Sequence, residues 1–158
     1  MEITTYLTYP ERAEEAVDLY TSIFPRSRVL RTTHYSEAGP GEPGSVMTID
    51  FELGGRRFVA MNGGPSFTFS LGVSLAAECE TQDEVDELWD RLSEGGEKGP
   101  CGWLTDRFGV SWQVYPRVLP ELLAADDRER ADRVMRAMLQ MTKIEIAELE
   151  RAAAGAPA

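Results

Sequence analysis

Two thiols and one imidazole, Cys79, Cys101 and His34, are the side chains in this sequence best suited to covalent or acid–base chemistry. Cys101 lies in Gly99-Pro100-Cys101-Gly102-Trp103, a segment that reads as flexible and exposed. A nucleophilic thiolate needs a neighbouring base, and only His34 offers an imidazole, with no spacing that marks a dyad. An inert thiol and a solvated histidine are therefore expected. No Cys-x-x-Cys or His-rich spacing points to structural zinc, and two cysteines are too few for a disulfide framework. Asp83, Glu84, Asp86, Glu87 and Asp90 fall on the polar side of one predicted helix and read as a solvated face. Asp106, just before Gly109, reads as a turn residue and not as an acid catalyst.

The elements that must position these groups belong to one domain or two small modules, since the chain has 158 residues. It is 42% hydrophobic and 27% charged, as ordinary globular proteins are. Acids outnumber bases 27 to 16, a net charge of -11, and no Lys or Arg cluster is present, so nucleic acid is not an expected partner. No apolar run reaches the roughly 18–20 residues of a membrane-spanning helix. Met1-Glu2-Ile3-Thr4-Thr5 lacks the basic and apolar stretches of a secretion signal. A cytoplasmic protein with reduced thiols and no membrane partner is expected.

Ile3 to Tyr9 reads as a strand stopped by Pro10, and Glu11 to Phe24 as a helix with Ala13, Ala16, Val17, Tyr20, Ile23 and Phe24 on one face. Strands follow over 28–35, 45–53 and 56–61. The glycine- and proline-rich stretch from Ser36 to Gly44 is a loop, and Gly54-Gly55 a primed hairpin turn. The order restarts with a strand from Leu71 to Cys79. Thr81-Gln82-Asp83-Glu84 is a capping box for a helix carrying Val85, Leu88, Trp89 and Leu92, and strand pieces follow over 98–105 and 110–115. The core thus reads as a duplicated βαβββ unit, an α+β fold. Beyond Pro116 the sequence is helical: a short piece over 120–124, a helix capped around Asp126-Asp127, and a last one opened by a Thr142-Lys143-Ile144-Glu145 box. Met135, Met138 and Met141 form a stripe that suits either the chain's own core or a dimer contact.

The duplicated order, with Trp103-Leu104-Thr105-Asp106-Arg107-Phe108-Gly109-Val110-Ser111-Trp112-Gln113-Val114, resembles the vicinal oxygen chelate superfamily of glyoxalases, bleomycin-resistance proteins and extradiol dioxygenases. Ala13-Glu14-Glu15-Ala16, Phe24-Pro25, Gly44-Ser45-Val46-Met47-Thr48, Met61-Asn62-Gly63-Gly64-Pro65, Cys101-Gly102-Trp103-Leu104 and Ala137-Met138-Leu139-Gln140-Met141 are similar to its PhnB-like branch, often labelled 3-demethylubiquinone methyltransferase-like. The resemblance implies curved mixed sheets of two βαβββ modules, about 1–66 and 67–117, around a small-molecule cleft, usually in a homodimer, with 118–158 a helical extension. The methyltransferase label carries no weight alone. Gly39-Pro40-Gly41, Gly54-Gly55, Gly63-Gly64 and Gly95-Gly96 lie between strands or after a helix, not where a strand-to-helix turn cradles a nucleotide-like cofactor, so no cofactor is expected.

Metal-dependent relatives take His and Glu ligands from four strands. The family pattern places these positions near Thr5, near Met61 or Asn62, near Ser74, and at Gln113, none of which offers imidazole, carboxylate or thiolate. The leading expectation is a metal-independent binder of an aromatic or amphipathic small molecule, with Gln113 and Asn62 as polar anchors and Trp103 and Tyr35 as walls. Ser74 and Cys101 complete the candidate set. Two alternatives stand beside it: an enzyme with an atypical site, using an unusual metal or Cys101 and His34, and a drug-sequestering resistance protein whose acidity suits cationic drugs.

Overall fold

The computed structural model describes residues 1, 3–124 and 127–155. The chain divides into two compact units, Met1–Phe69 and Ser70–Ala158. Each is built on a four-stranded mixed sheet, giving the α+β fold expected.

The first unit contains β1 (Thr5–Tyr9), α1 (Ala13–Ile23), β2 (Arg28–His34), β3 (Val46–Leu53) and β4 (Arg56–Asn62), in sheet order β1-β4-β3-β2. β1 and β4 run parallel; β4, β3 and β2 are antiparallel. Alternation along the strands sets the two faces. One carries Leu7, Tyr9, Ile49, Phe51, Phe58 and Ala60, all buried. Ala13, Ala16, Val17, Leu19 and Tyr20 of α1 are buried in turn, and the Tyr9 hydroxyl meets that of Tyr20 at 3.4 Å, so α1 covers this face. The other face is open. Gly54 and Gly55 adopt φ of 59° and 82°, as the primed turn between β3 and β4 requires.

The second unit contains β5 (Leu75–Cys79), α2 (Gln82–Ser93), β6 (Glu97–Lys98), β7 (Trp103–Thr105) and β8 (Ser111–Pro116), in sheet order β5-β8-β7-β6. Val85, Trp89 and Leu92 of α2 are buried, as are Ala77, Cys79, Leu104, Trp112 and Val114 of the sheet. The Thr81 hydroxyl accepts from the Glu84 N–H at 3.2 Å, and the Glu84 carboxylate accepts from the Glu80 N–H at 2.7 Å, so the expected cap forms. The strand expected over 98–105 is two short strands around a turn, because Cys101 and Gly102 both take positive φ.

The helices α3 (Val118–Leu123), α4 (Arg128–Met138) and α5 (Ile146–Ala154) belong to this same compact unit. Leu119, Leu122, Val134, Ile144 and Leu149 form their core, and Met138 and Met141 pack against it, whereas Met135 is exposed. Most of the methionine stripe therefore meets its own chain. Asp127 caps α4, accepting from the Arg130 N–H at 3.1 Å; Asp126 lies outside the described residues.

Two local expectations need correction. The Thr142–Glu145 box does not form: α5 begins at Ile146, whose N–H donates at 2.8 Å to the Gln82 amide oxygen of α2. Thr142 serves elsewhere, its carbonyl accepting from the Gly102 N–H at 2.7 Å. The acidic face of α2 is also not wholly solvated, since Asp86 accepts from Gln82 at 2.9 Å and from Lys143 at 2.5 Å. The Lys143 hydrogen bond, then that from Gln82, holds the Asp86 carboxyl below its ordinary range. The bridge therefore stabilises fully above the unfolded-state value of about 3.9 and is lost as pH falls through the lower folded value. Both partners are partly exposed, so Asp86→Asn should cost no more than about 1 kcal/mol at pH 7. In urea titrations that difference should close below about pH 3.9; a difference unchanged by pH would mean that the charge contributes nothing.

Candidate functional site

The first sheet's register sorts the family's metal positions. Thr5 shares the α1 side with Leu7 and Tyr9, so the open face of β1 carries Tyr6 and Thr8 instead. Met61 pairs with Thr8 and Thr48 on the open face, while Asn62 belongs to the covered one. Asn62 is fully engaged there. Its amide oxygen accepts from the Ala13 N–H at 2.9 Å, and its amide nitrogen donates to Glu14 at 2.8 Å and to the Val46 carbonyl at 3.0 Å. The α1 N-cap, Arg12, takes a left-handed conformation and gives no side-chain cap, so Asn62 supplies it from β4.

Tyr35 joins Asn62 through its hydroxyl, which donates to the Asn62 carbonyl at 2.6 Å. Both line a cleft of about 610 Å³ that also includes Pro10, Glu11, Glu42 and Gly64. With Tyr35 buried and Asn62's amide engaged, they build the wall of this cleft. The tyrosine ring lies under Gly39 and Gly41, where a Cβ would meet it at 2.8 and 2.3 Å.

In the second unit, Gln113 and Trp103 are register partners on β8 and β7, with Ala76 of β5 beyond Gln113, so the three form a row across the open face. The Gln113 amide nitrogen donates to the Ser74 hydroxyl at 2.8 Å. Its amide oxygen has no partner among the described residues. Trp103 is 37% exposed, unlike Trp89 and Trp112 at 3% and 2%. Farther along β8, Tyr115 packs against the helical core. Gln113, Ser74 and Trp103 thus come together, whereas Asn62 and Tyr35 serve the first unit.

Cys101 is held more firmly than its glycine-rich surroundings suggest. Its N–H donates to the Met141 carbonyl at 2.8 Å and its half-buried thiol to the Met138 carbonyl at 3.5 Å. His34 is exposed at the end of β2 in the other unit. Cys79 is buried, and loss of solvation, with the charges of Glu84 and Glu78, pushes its thiol up to about 12, so it stays protonated at neutral pH.

Where the resemblance points to metal ligands, near Thr5, Met61 or Asn62, Ser74 and Gln113, the side chains on the open faces are Tyr6, Thr8, Met61, Ser74 and Gln113, a set of neutral oxygens and a thioether that does not fit a divalent first-row metal. Among the described residues no group of three His, Cys, Asp or Glu could hold a metal ion.

A charge cluster around Asp50 was not among the residues that the sequence singled out. Asp50, 6% exposed, lies at the centre of the first sheet's open face. Arg31 donates to it through Nε and Nη2 at 3.1 and 2.9 Å, and Arg57 through Nη2 at 3.3 Å. The signal available in sequence was the alternation of Thr48, Asp50 and Glu52 with Ile49, Phe51 and Leu53. A strand irregularity in β2 hides the partner Arg31 from such counting.

A family model described as 3-demethylubiquinone-9 3-methyltransferase matches residues 1–115. The chain belongs to this family. It is 35% identical to a Bacillus cereus PhnB protein described as a putative 3-demethylubiquinone-9 3-methyltransferase, over 73% of this chain and 99% of that one, with a TM-score of 0.66. A Pseudomonas aeruginosa protein is similar in fold at 21% identity, covering 73% and 97% of the two chains, with a TM-score of 0.61. The fosfomycin resistance protein FosX from Listeria monocytogenes shares the fold at 16% identity, over 77% and 96%, with a TM-score of 0.52. No match was found among curated proteins. The family member is thus a PhnB-like protein of the vicinal oxygen chelate superfamily, as its motifs indicate. No helix among the described residues is long and apolar enough to cross a membrane.

Proposed function

We propose that this PhnB-like protein is a small-molecule-binding protein that works as a homodimer and holds its ligand through neutral polar and aromatic groups without a metal. The observation that carries this reading is the row of Gln113 and exposed Trp103 on the open face of the second sheet, with Ser74 bonded to Gln113. At the position where metal-dependent relatives place a glutamate, Gln113 already donates to a hydroxyl and keeps an amide oxygen for a ligand N–H or O–H. Trp103 supplies a rigid apolar surface for a planar group. Exposed Leu71, Val73 and Leu139 support a contact with a second copy.

Native mass spectrometry of freshly purified, untagged protein tests this. The expected result is a dimer that carries an organic mass and no stoichiometric transition metal. Gln113→Leu and Trp103→Ala should each lower occupancy at least about tenfold, equivalent to roughly 1.4 kcal/mol, with the circular dichroism unchanged. Stoichiometric metal, or occupancy unaffected by both substitutions, would reject the reading.

A further inference from the structure

We propose that the open face of the first sheet is a binding site for a small organic oxyanion, a carboxylate or a phospho group, held by Arg31 and Arg57. This site goes beyond the Gln113 face and does not depend on it.

Side chains on the open face fall into three rows. Arg28, Glu52 and Arg57 form the first; Arg31, Asp50, Val59 and Tyr6 the second; Thr33, Thr48, Met61 and Thr8 the third. The second row depends on a register shift. Val29 pairs with Phe51 and Arg31 with Asp50, so Leu30 is the extra residue. In regular pairing Leu30 would stand opposite Asp50, and Arg31 would turn to the other face. Bulges of this kind re-aim a side chain, and they are enriched beside functional sites.

Asp50 holds both guanidinium groups in place. Its side chain is 8% exposed, while those of Arg31 and Arg57 are 69% and 51% exposed. Arg31 makes both its bonds to one carboxylate oxygen and Arg57 bonds to the other. Arg31 Nη1 and Arg57 Nε and Nη1 have no partner among the described residues. Two guanidinium groups tethered by a shared, sequestered carboxylate have already lost much of their rotamer freedom, which lowers the cost of binding. Their free N–H groups are the donors that carboxylates and phosphates accept in paired fashion.

The charge balance supports the same ligand class. Three arginines face two acids here, leaving one net positive charge on a chain whose total is -11. An acidic protein repels anions in general, so this local excess selects for an anion that fits. The neighbouring surface suits an organic body: half-buried Met61 offers apolar area, Tyr6 is 59% exposed, and the hydroxyls of Thr33 and Thr48 lie 2.6 Å apart.

The test follows the arginine guanidinium NMR resonances of the full chain during titration with phenylphosphate, with benzoate, and with neutral benzamide. Saturable shifts at Arg31 and Arg57 with either anion, and none with benzamide, are expected, and the tighter anion identifies the headgroup. Arg31→Gln and Arg57→Gln, made separately because both side chains are exposed and the fold should survive, should each weaken binding at least tenfold. Absence of saturable shifts, equal shifts at surface Arg12 and Arg151, or unchanged affinity in both variants would overturn the site. Native mass spectrometry of the Gln113 and Trp103 variants reads the other face, so failure of one leaves the other distinguishable.

Discussion

Asp106→Ala is expected to destabilise the second unit by roughly 3–5 kcal/mol, the largest effect of any single polar substitution proposed for this chain. Asp106 is 3% exposed and closes the turn between β7 and β8. One carboxylate oxygen accepts from the N–H groups of Phe108 and Val110 at 2.9 and 3.0 Å, and the other from the Trp112 indole at 2.9 Å. Alanine would leave these three donors without their acceptor, two of them in bonds that are fully buried. Hydrogen bonds to a charged acceptor are worth about 1.5–3 kcal/mol each, and losses at one residue are not additive. All three tryptophans of the chain lie in this unit, so urea unfolding followed by tryptophan fluorescence reads it selectively. Asp106→Asn separates the contributions: it keeps an acceptor for the turn but presents an N–H to the indole N–H, and should lose about half as much. A loss below about 1 kcal/mol for the alanine variant would show that the turn holds by other means.

The same residue shows what was legible in the sequence. Asp106 read as a turn former from its place before Gly109, and the hairpin glycines and the Thr81 cap read correctly for the same reason: each interaction joins residues close in sequence. What escaped were long-range replacements of local chemistry. Thr142-Lys143-Ile144-Glu145 has the form of a capping box, but Gln82, far away in sequence, satisfies the α5 amide instead. Asn62 looked like a ligand anchor because its type and strand-end position allow it, yet its amide caps α1. Arg31 was invisible because a one-residue shift in β2 changes the face onto which it projects. Cys101 looked exposed because its neighbours are Gly and Pro, and the contacts that hold it come from the end of α4 and the connection after it.

Gly102→Ala tests that last junction and should cost about 3 kcal/mol. Gly102 has φ of 80°, a conformation that costs a residue with a Cβ roughly 1–2 kcal/mol. The added methyl would also lie 2.4 Å from the Val114 carbonyl oxygen and 3.1 Å from Ile144, so backbone must move. Movement here affects two structures together. The Gly102 carbonyl accepts from the Val114 N–H of β8 at 2.8 Å, and its N–H donates to the Thr142 carbonyl ahead of α5. Val114 follows Gln113, and Trp103 follows Gly102, so the substitution displaces the two residues that frame the proposed ligand face. Gly102→Ala should therefore lower the urea midpoint and also increase the exposure of Trp103, read as acrylamide quenching at denaturant concentrations well below unfolding. Gln140→Ala, at an exposed position after α4, is the control and should change neither. If Gly102→Ala unfolds the unit without first changing Trp103 quenching, the junction supports stability alone. If quenching rises while the unit remains folded, the helices after Pro116 also hold the ligand face in shape.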